Sequence, residues 1–571
     1  MKSRLPLDRL TWSRWRTAVR AFATCEVGGR AKALFAALFA LLLAINGLNV
    51  VNSYVGRDFM TAIEERNMRG FVTKALLYIG VFAASTVAAV IYRFAEERLG
   101  LLWREWLTRR LVALYLDNGT YYWIRENAEV PNPDQRIADD VRTFTASTLS
   151  LALVMLNNTF TIIAFSGVMW SISARLFVTA VLYAALGSAL TVLFGRPLIW
   201  LNYSQADREA SFRADLVHLR EHAESVVVLR REGQLGERLQ RRIGDLVDNM
   251  KQIIAVNLNL GFFTTGYNYL IQIIPILIVA PLFIRGKISF GVISQSSMAF
   301  AYLLGAFSLI ITQFQQISSY AVNVARLSAL AEGVEQAAGR GVSGIEIDAT
   351  GTDLVWDHLT LRSPHEGRVL VHDLSLSVSA GRRVLVTGPG EEGRLALFRA
   401  TAGLWHAGEG RIVHPPPEAI SFIAERPYLP PGTLRQSLTW TGQQAPVDDA
   451  RILEVLGKLG IGSVVARADG LDAERDDWDD LLSLGEQQQL AVARVVLGAP
   501  RYALLDRPTT LLGADDAAGA LALLAAYGIT SVTFAPDAQL AAQHDALLDV
   551  APDGTWAWQP TREGNPAHER S

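Results

Sequence analysis

The chain has 571 residues, of which 50% are hydrophobic and 19% charged, with a net charge of −3. Soluble domains carry about 25% charged residues, so the deficit points to a membrane, and the near-neutral balance excludes a nucleic-acid partner. A single cysteine, Cys25, excludes an internal disulfide framework and a cysteine-based zinc site.

The N-terminus is basic and aromatic, with Trp12, Arg14, Trp15, Arg16 and Arg20, and lacks the short apolar core and cleavage site of a signal peptide. Residues 12–23 are predicted to form an amphipathic helix at a membrane surface. Six apolar stretches follow, at 33–54, 75–92, 148–171, 176–201, 258–284 and 294–317. A bilayer crossing needs about 20 helical residues, and these stretches fit it. None contains Asp, Glu or Lys, and Arg196 lies near the end of the fourth, where it can snorkel. Asn157, Asn158 and Asn268 within the spans either line a polar cavity or bridge helices.

Ahead of the first span stand Lys2, Arg4, Arg9, Arg14, Arg16, Arg20, Arg30 and Lys32, against Asp8 and Glu26. This bias predicts a cytosolic N-terminus, and six spans then return the C-terminal half to the cytosol. The connections at 56–74, 173–175 and 285–290 are short. Those at 93–147 and 202–257 are long and charged, and fall on the cytosolic side. They are predicted to be helical extensions of the spans, since 138–141 and 208–231 contain no Gly or Pro.

Past the last span the composition turns soluble, after a Gly/Ala-rich linker around 337–344. Strands are predicted at 353–361, 369–378 and 383–387. The last ends before Gly388-Pro389-Gly390-Glu391-Glu392-Gly393-Arg394-Leu395, and a helix is predicted at 395–402. The phosphate-binding loop pattern is G-x-x-x-x-G-K-[S/T]. Both pattern glycines are present, but Arg394 replaces the lysine and Leu395 the Mg²⁺-binding hydroxyl. Glu391 and Glu392 fall inside the loop, where backbone N–H groups would otherwise cradle an anion. Further on, Leu482-Ser483-Leu484-Gly485-Glu486-Gln487-Gln488-Gln489 precedes a helix at 490–497. A strand-like run at 502–505 then ends on Asp506.

The order of phosphate loop, Leu482–Gln489 and Asp506 resembles the ATP-binding cassette (ABC) ATPases, with their L-S-G-G-E-Q-Q-R signature and Walker B strand. Within the family the chain is similar to half-transporters whose membrane domain is related to BacA/SbmA peptide transporters and to the peroxisomal fatty-acyl transporters. The segments that carry this are Pro131-Asn132-Pro133-Asp134-Gln135-Arg136-Ile137, Glu209–Arg213, Arg220–Ser225, Ala402-Gly403-Leu404-Trp405 and Arg426–Pro430 with Gly432–Arg435. The resemblance implies a six-helix type IV exporter-like membrane domain at 1–335. It implies a linker at 336–350, an α/β P-loop NTPase-like cassette at 351–560 and a tail at 561–571.

The departures are as informative as the matches. By resemblance, the Q-loop glutamine that helps hold Mg²⁺ is Glu425, the catalytic glutamate is Arg507, the switch histidine is Phe534, and the aspartate after Walker B is Gly513. A general base must accept a proton, which an arginine cannot do at working pH. Leu395 offers no oxygen to a hard cation. The cassette therefore reads as a pseudo-ATPase with no catalytic residue intact. The expected nucleotide contacts are Gly388, Pro389, Gly390, Gly393, Arg394, Leu395, Glu425 and Asp506, with Ser483, Gly485 and Gln487 facing a partner's ATP. ATP is expected to bind weakly or through the partner's site, and Mg²⁺ ligation is not expected. The resemblance implies a dimer in a bacterial-type inner membrane, both termini cytosolic. Three readings stay open: a half paired with an intact half-transporter, a homodimer not powered by its own hydrolysis, and a non-transporting membrane regulator. The implied cargo is a peptide, a cobalamin-like compound or an acyl conjugate.

Overall fold

The computed structural model describes residues 20–22, 24, 25, 27–126, 130, 133–307, 314–339, 344–364, 366–439, 447–536 and 538–561. The chain divides into two compact units, Met1–Gly339 and Arg340–Ser571. Most of the expected surface helix at 12–23, Pro131, Asn132, residues 308–313 of the sixth span and nearly all of the tail lie outside the described residues.

The first unit is helical: α1 (Gly28–Glu64), α2 (Met68–Leu116), α3 (Thr120–Glu126), α4 (Val141–Ile172), α5 (Ala174–Glu221), α6 (Ala223–Leu229), α7 (Glu232–Ile284), α8 (Gly291–Phe307) and α9 (Phe314–Gly339). Among the described residues five helices are long and apolar enough to cross a membrane; α8, which covers the first part of the expected sixth span, is shorter. The expected loops are largely absorbed into these helices. Residues 56–74 contain only a three-residue break, where the Asn67 side chain accepts the Gly70 N–H at 3.0 Å and caps α2. Residues 202–257 form a helical arm of α5, α6 and α7, with a left-handed turn at Arg230. Between α3 and α4 the chain runs through a π-helical segment, Arg136–Asp140, where Arg326 of α9 pairs with Asp140 at 2.7 Å.

The apolar faces of α1, α2, α4 and α9 meet around Leu38, Leu99, Trp103, Phe144 and Leu153. Those of α4, α5, α7 and α8 meet around Phe165, Met169, Leu176, Val279 and Phe300. Gly291 lets α8 approach α1, because a Cβ there would collide with the Arg57 carbonyl. Asn157 bridges helices, the second of its two expected roles. It accepts from Asn46 Nδ2 at 3.0 Å, and Thr161 donates to Asn46 Oδ1 at 2.8 Å.

The second unit opens with β1 (Ile345–Asp348), inside the stretch expected to be linker, then β2 (Leu354–Arg362), β3 (Val369–Val378) and β4 (Val384–Thr387). Helix α10 (Glu391–Thr401) leads to β5 (Gly408–Val413) and β6 (Ile420–Ile423). A helical layer includes α11 (Leu434–Leu438), α12 (Asp449–Lys458), α13 (Ser463–Arg467), α14 (Trp478–Leu481) and α15 (Leu484–Gly498). It is followed by β7 (Tyr502–Asp506), α16 (Ala514–Ala526), β8 (Thr530–Phe534), β9 (Ala546–Val550) and β10 (Trp556–Pro560).

Strands β9, β4, β8, β7 and β6 form a parallel sheet in that order, with β10 antiparallel on its edge. Its central strand β4 reads Val-Leu-Val-Thr and is buried throughout, as a strand covered on both faces should be. A smaller sheet of order β1-β5-β2-β3 lies beside it in the same unit. The parallel order brings the ends of β4, β7 and β8 together, and the candidate site is built there.

Candidate functional site

Strand β4 ends at Thr387, and Gly388 turns the chain with φ +106°, a conformation that favours glycine. Space is as restrictive as torsion. A Cβ on Gly388 would enter the Asp549 carboxylate and the Val550 backbone, and one on Gly390 would meet the Val550 and Ala551 carbonyls. The glycine loop is thus packed onto the end of β9. The Gly390 N–H is spent in that packing, donating to Val550 O at 3.0 Å, and Pro389 has none to give.

Helix α10 begins at Glu391, four residues before its expected start. Glu391 and Glu392 therefore form its first turn and are not loop residues. Carboxylates are favoured there by the helix dipole, and each also finds a cation. Glu392 pairs with Arg368 at 2.5 Å and Glu391 with Arg507 at 3.3 Å. Arg394, expected to reach outward to phosphates, is instead buried. Its guanidinium donates back to the carbonyl of Gly388, across the mouth of its own loop. Burial pushes its pKa below the usual arginine value, with the Glu391 charge opposing. Leu395 follows on the same helix and brings no oxygen.

Asp506 closes β7, and Arg507 follows in the left-handed region with φ 45°. The three nitrogens of the Arg507 side chain face three carboxylates. Nη2 lies 2.5 Å from Glu425 Oε2, Nη1 3.3 Å from Glu391 Oε1, and Nε 3.6 Å from Asp506 Oδ1. The Asp506 carboxyl is pushed above the ordinary aspartate range. Burial is the main cause, partly offset by the Arg507 charge and reinforced by Glu425. The positions expected to hold a metal and a base are bound to each other.

Phe534, at the expected switch position, faces away from this cluster. It is 1% exposed and packs edge-on against Phe398 of α10, with ring centroids 5.4 Å apart. An aromatic ring gains more from the core between β8 and α10 than from a polar surface.

The signature residues form a separate constellation. Ser483 caps α15, which starts six residues before the expected 490. Its hydroxyl accepts the Glu486 N–H, while the Glu486 carboxylate accepts the Ser483 N–H at 2.9 Å. Arg467 of α13 pairs with the same carboxylate. Gln487, expected to face a partner's ATP, is buried and donates to Leu482 O at 3.2 Å. Gly485 is packed closely enough that a Cβ would touch Leu511 O at 3.2 Å. Leu484, at the position where the L-S-G-G-E-Q-Q-R pattern would place its first glycine, is exposed.

The structure therefore joins Arg394, Glu425, Asp506 and Arg507, with Gly388–Gly393 beside them, and leaves Phe534 out. Sequence reasoning missed Glu391 as a partner of Arg507 and Arg368 as a partner of Glu392. The signal for the first is visible: Glu425 and Arg507 replace two expected residues with opposite charges.

The fit to Mg²⁺ and triphosphate is poor. Leu395 cannot ligate, the Gly390 N–H is committed, and a guanidinium already satisfies the carboxylates that a hard cation would require. Ser483 stands exposed at the start of α15, with its hydroxyl 3.1 Å from Glu486 Oε2.

Residues 20–284 match the ABC transporter transmembrane region 2 family, and residues 371–510 match the ABC transporter family. An uncharacterized ABC transporter ATP-binding protein of Synechocystis is 35% identical over 92% of this chain and 81% of that protein. The chloroplastic ABC transporter D family member 2 of Arabidopsis thaliana is 33% identical over 95% of this chain and 86% of that protein. The human lysosomal cobalamin transporter ABCD4 is 24% identical over 91% of this chain and 92% of that protein. With five long apolar helices among the described residues, ahead of a cassette whose family binds ATP, the chain is a multi-pass membrane protein that belongs to the ABC transporter family.

Proposed function

We propose that this chain is one half of a dimeric six-span transporter of the type IV exporter class, and that its own nucleotide site does not hydrolyse ATP. The observation that carries this is the Arg507 side chain, bound to Glu425, Glu391 and Asp506 where a general base would have to stand. Leu395, the inward-folded Arg394 and the core-packed Phe534 support it independently. An intact half-transporter supplies catalysis, and Ser483 with Gly485 completes that partner's ATP site.

The cargo is a hydrophilic compound of the cobalamin class, a reading that rests on the human relative's name and on similarity along nearly the whole chain. Peptides and acyl conjugates are the competing cargoes. The basic N-terminus and the alternation of connection lengths support an inner-membrane location with both termini cytosolic.

The test is to tag the chain at its native locus, solubilise the membranes and identify what co-purifies. Recovery with a second half-transporter that has an intact phosphate loop and catalytic glutamate supports the reading. Recovery of homodimers alone favours the second reading, a transporter that works without its own hydrolysis, which the same ion cluster also fits.

A further inference from the structure

The Arg507 cluster does more than remove a base. Three carboxylates from three separate elements converge on one guanidinium: Glu391 from the first turn of α10, Glu425 from just beyond β6, and Asp506 from the end of β7. These belong to the glycine-loop helix, the Q-loop and the Walker B strand. Oxygen ligands drawn from separate elements to a common point are what a hard divalent cation requires. Here a protein cation fills the point. Arg507 is held to it from behind, by the N–H bond from its backbone to Phe534 O at 2.7 Å and by its left-handed backbone.

We infer that the Arg507 guanidinium is a built-in replacement for the divalent cation, holding Asp506, Glu425 and Glu391 together so that this cassette keeps its site assembled without metal or nucleotide. The inference rests on the reading of the site as hydrolytically inactive and goes further. It makes the site internally occupied, not merely missing a base. The charges agree. Burial already pushes the Asp506 carboxyl upward and Glu425 adds to that, while Arg507 opposes both. Without the guanidinium, Glu425 and Glu391 keep their oxygens beside the buried Asp506 carboxylate with no cation between them. A guanidinium also suits the task better than an ammonium, because its planar fork presents separate N–H groups in fixed directions.

The experiment uses the full-length chain in detergent, without nucleotide, at pH 8 so that protonation is disfavoured. Mn²⁺ is the probe, and bound ion is read by electron paramagnetic resonance. The native protein is expected to show no Mn²⁺ site that Asp506→Asn removes. Arg507→Met is expected to gain one site per chain, and Arg507→Met with Glu425→Gln to weaken it at least tenfold. Arg507→Lys, which keeps the charge, is expected to gain none. A Mn²⁺ site in the native protein that depends on Asp506 overturns the inference, as does an Arg507→Met protein that folds and binds no Mn²⁺. If Arg507→Met is recovered folded only with Mn²⁺ present, the inference is supported. If it fails to fold with or without Mn²⁺, Arg507→Met with Glu425→Gln decides. Recovery supports the charge-balancing role, and continued failure assigns Arg507 to packing and overturns it. No outcome here depends on hydrolysis. A native Mn²⁺ site would sink the internal cation while leaving the inactive-site reading to the ATPase measurement.

Discussion

The backbone N–H of Arg507 donates to the carbonyl of Phe534 at 2.7 Å, joining the two residues expected, by resemblance, at the base and γ-phosphate-sensor positions. In the paired strands β7 and β8, Asp506 is opposite Phe534, so the bond extends the sheet by one rung. On the proposed reading, restoring a base alone is not expected to restore hydrolysis. Arg507→Glu places a fourth carboxylate among Asp506, Glu425 and Glu391, while Leu395 and Phe534 stay as they are. Removing one partner of a buried charge pair costs about 3–5 kcal/mol, and partial exposure here brings that to about 1–3 kcal/mol. The expected outcome is a cassette that exchanges amide hydrogens faster around 502–507 and still shows no ATP turnover. ATP hydrolysis by Arg507→Glu would contradict this.

The cap made by Ser483 can be separated from its proposed role at a partner's ATP site. As a cap it is worth about 1 kcal/mol, so Ser483→Ala should speed hydrogen exchange in the first turns of α15. Asp also caps, but its carboxylate would face Glu486 Oε2, 3.1 Å from Ser483 Oγ, so Ser483→Asp should recover only part of that protection. In a heterodimer the added charge would face the partner's γ-phosphate, and Ser483→Asp should lower the partner's hydrolysis at least tenfold. Equal hydrolysis in native and Ser483→Asp heterodimers would leave Ser483 with the cap alone.

His544 makes cassette stability sensitive to mild acid. The ring is buried, and its Nδ1 lies 2.7 Å from Leu540 O, an acceptor, so Nδ1 carries the proton. Nε2 then accepts from the Thr533 hydroxyl at 2.9 Å, which requires a neutral ring. Burial pushes its pKa below the ordinary value near 6.5. The unfolded chain therefore binds a proton first as pH falls, and stability is complete above about 6.5 and declines below it. His406, also lowered by burial, adds a second share. Urea midpoints should fall between pH 7 and pH 5, and His544→Asn should flatten that slope without abolishing it. An unchanged slope in His544→Asn would assign the acid sensitivity elsewhere.

The Asn46–Asn157–Thr161 cluster joins α1 to α4 in the membrane unit. Interhelical hydrogen bonds in membranes average about 0.6 kcal/mol, with about 1.7 as an upper value. Asn46→Ala breaks two of them and should destabilise the unit by about 1 kcal/mol, read as a lowered midpoint in denaturing detergent. Asn157→Ala in the same background should add little, since the pair is already broken. Full additivity would show that the two asparagines act separately.

Arg66, in the break between α1 and α2, and Gly236, near the start of α7, should lie on opposite sides of the membrane. With Cys25 replaced, a single cysteine at 66 should react with an impermeant maleimide on intact cells, and one at 236 should not. Labelling at 236 from outside would invert the topology.

Five of the six expected spans were legible because long runs without an acidic residue do not fit a water-soluble core. Strand β4 was legible because four apolar or β-branched residues ran straight into a glycine turn. Glu391 and Glu392 were misplaced for a physical reason. The loop template counts residues from Gly388, whereas glutamates at a helix start are stabilised by the dipole and draw the helix back over them. Phe534 could be aligned but not oriented. Whether a side chain at a strand end turns inward depends on what the neighbouring helix offers, and Phe398 offers a ring. Contacts such as Arg507–Glu391, 116 residues apart, need the fold itself.

The central claim is that this chain's own site does not hydrolyse ATP, and steady-state turnover by the purified, reconstituted homodimer with Mg²⁺ and saturating ATP tests it most directly. The expected result is phosphate release at background, the same for the native protein and for Asp506→Ala. A turnover on the order of 1 s⁻¹, ordinary for an enzyme, that disappears in Asp506→Ala would contradict it.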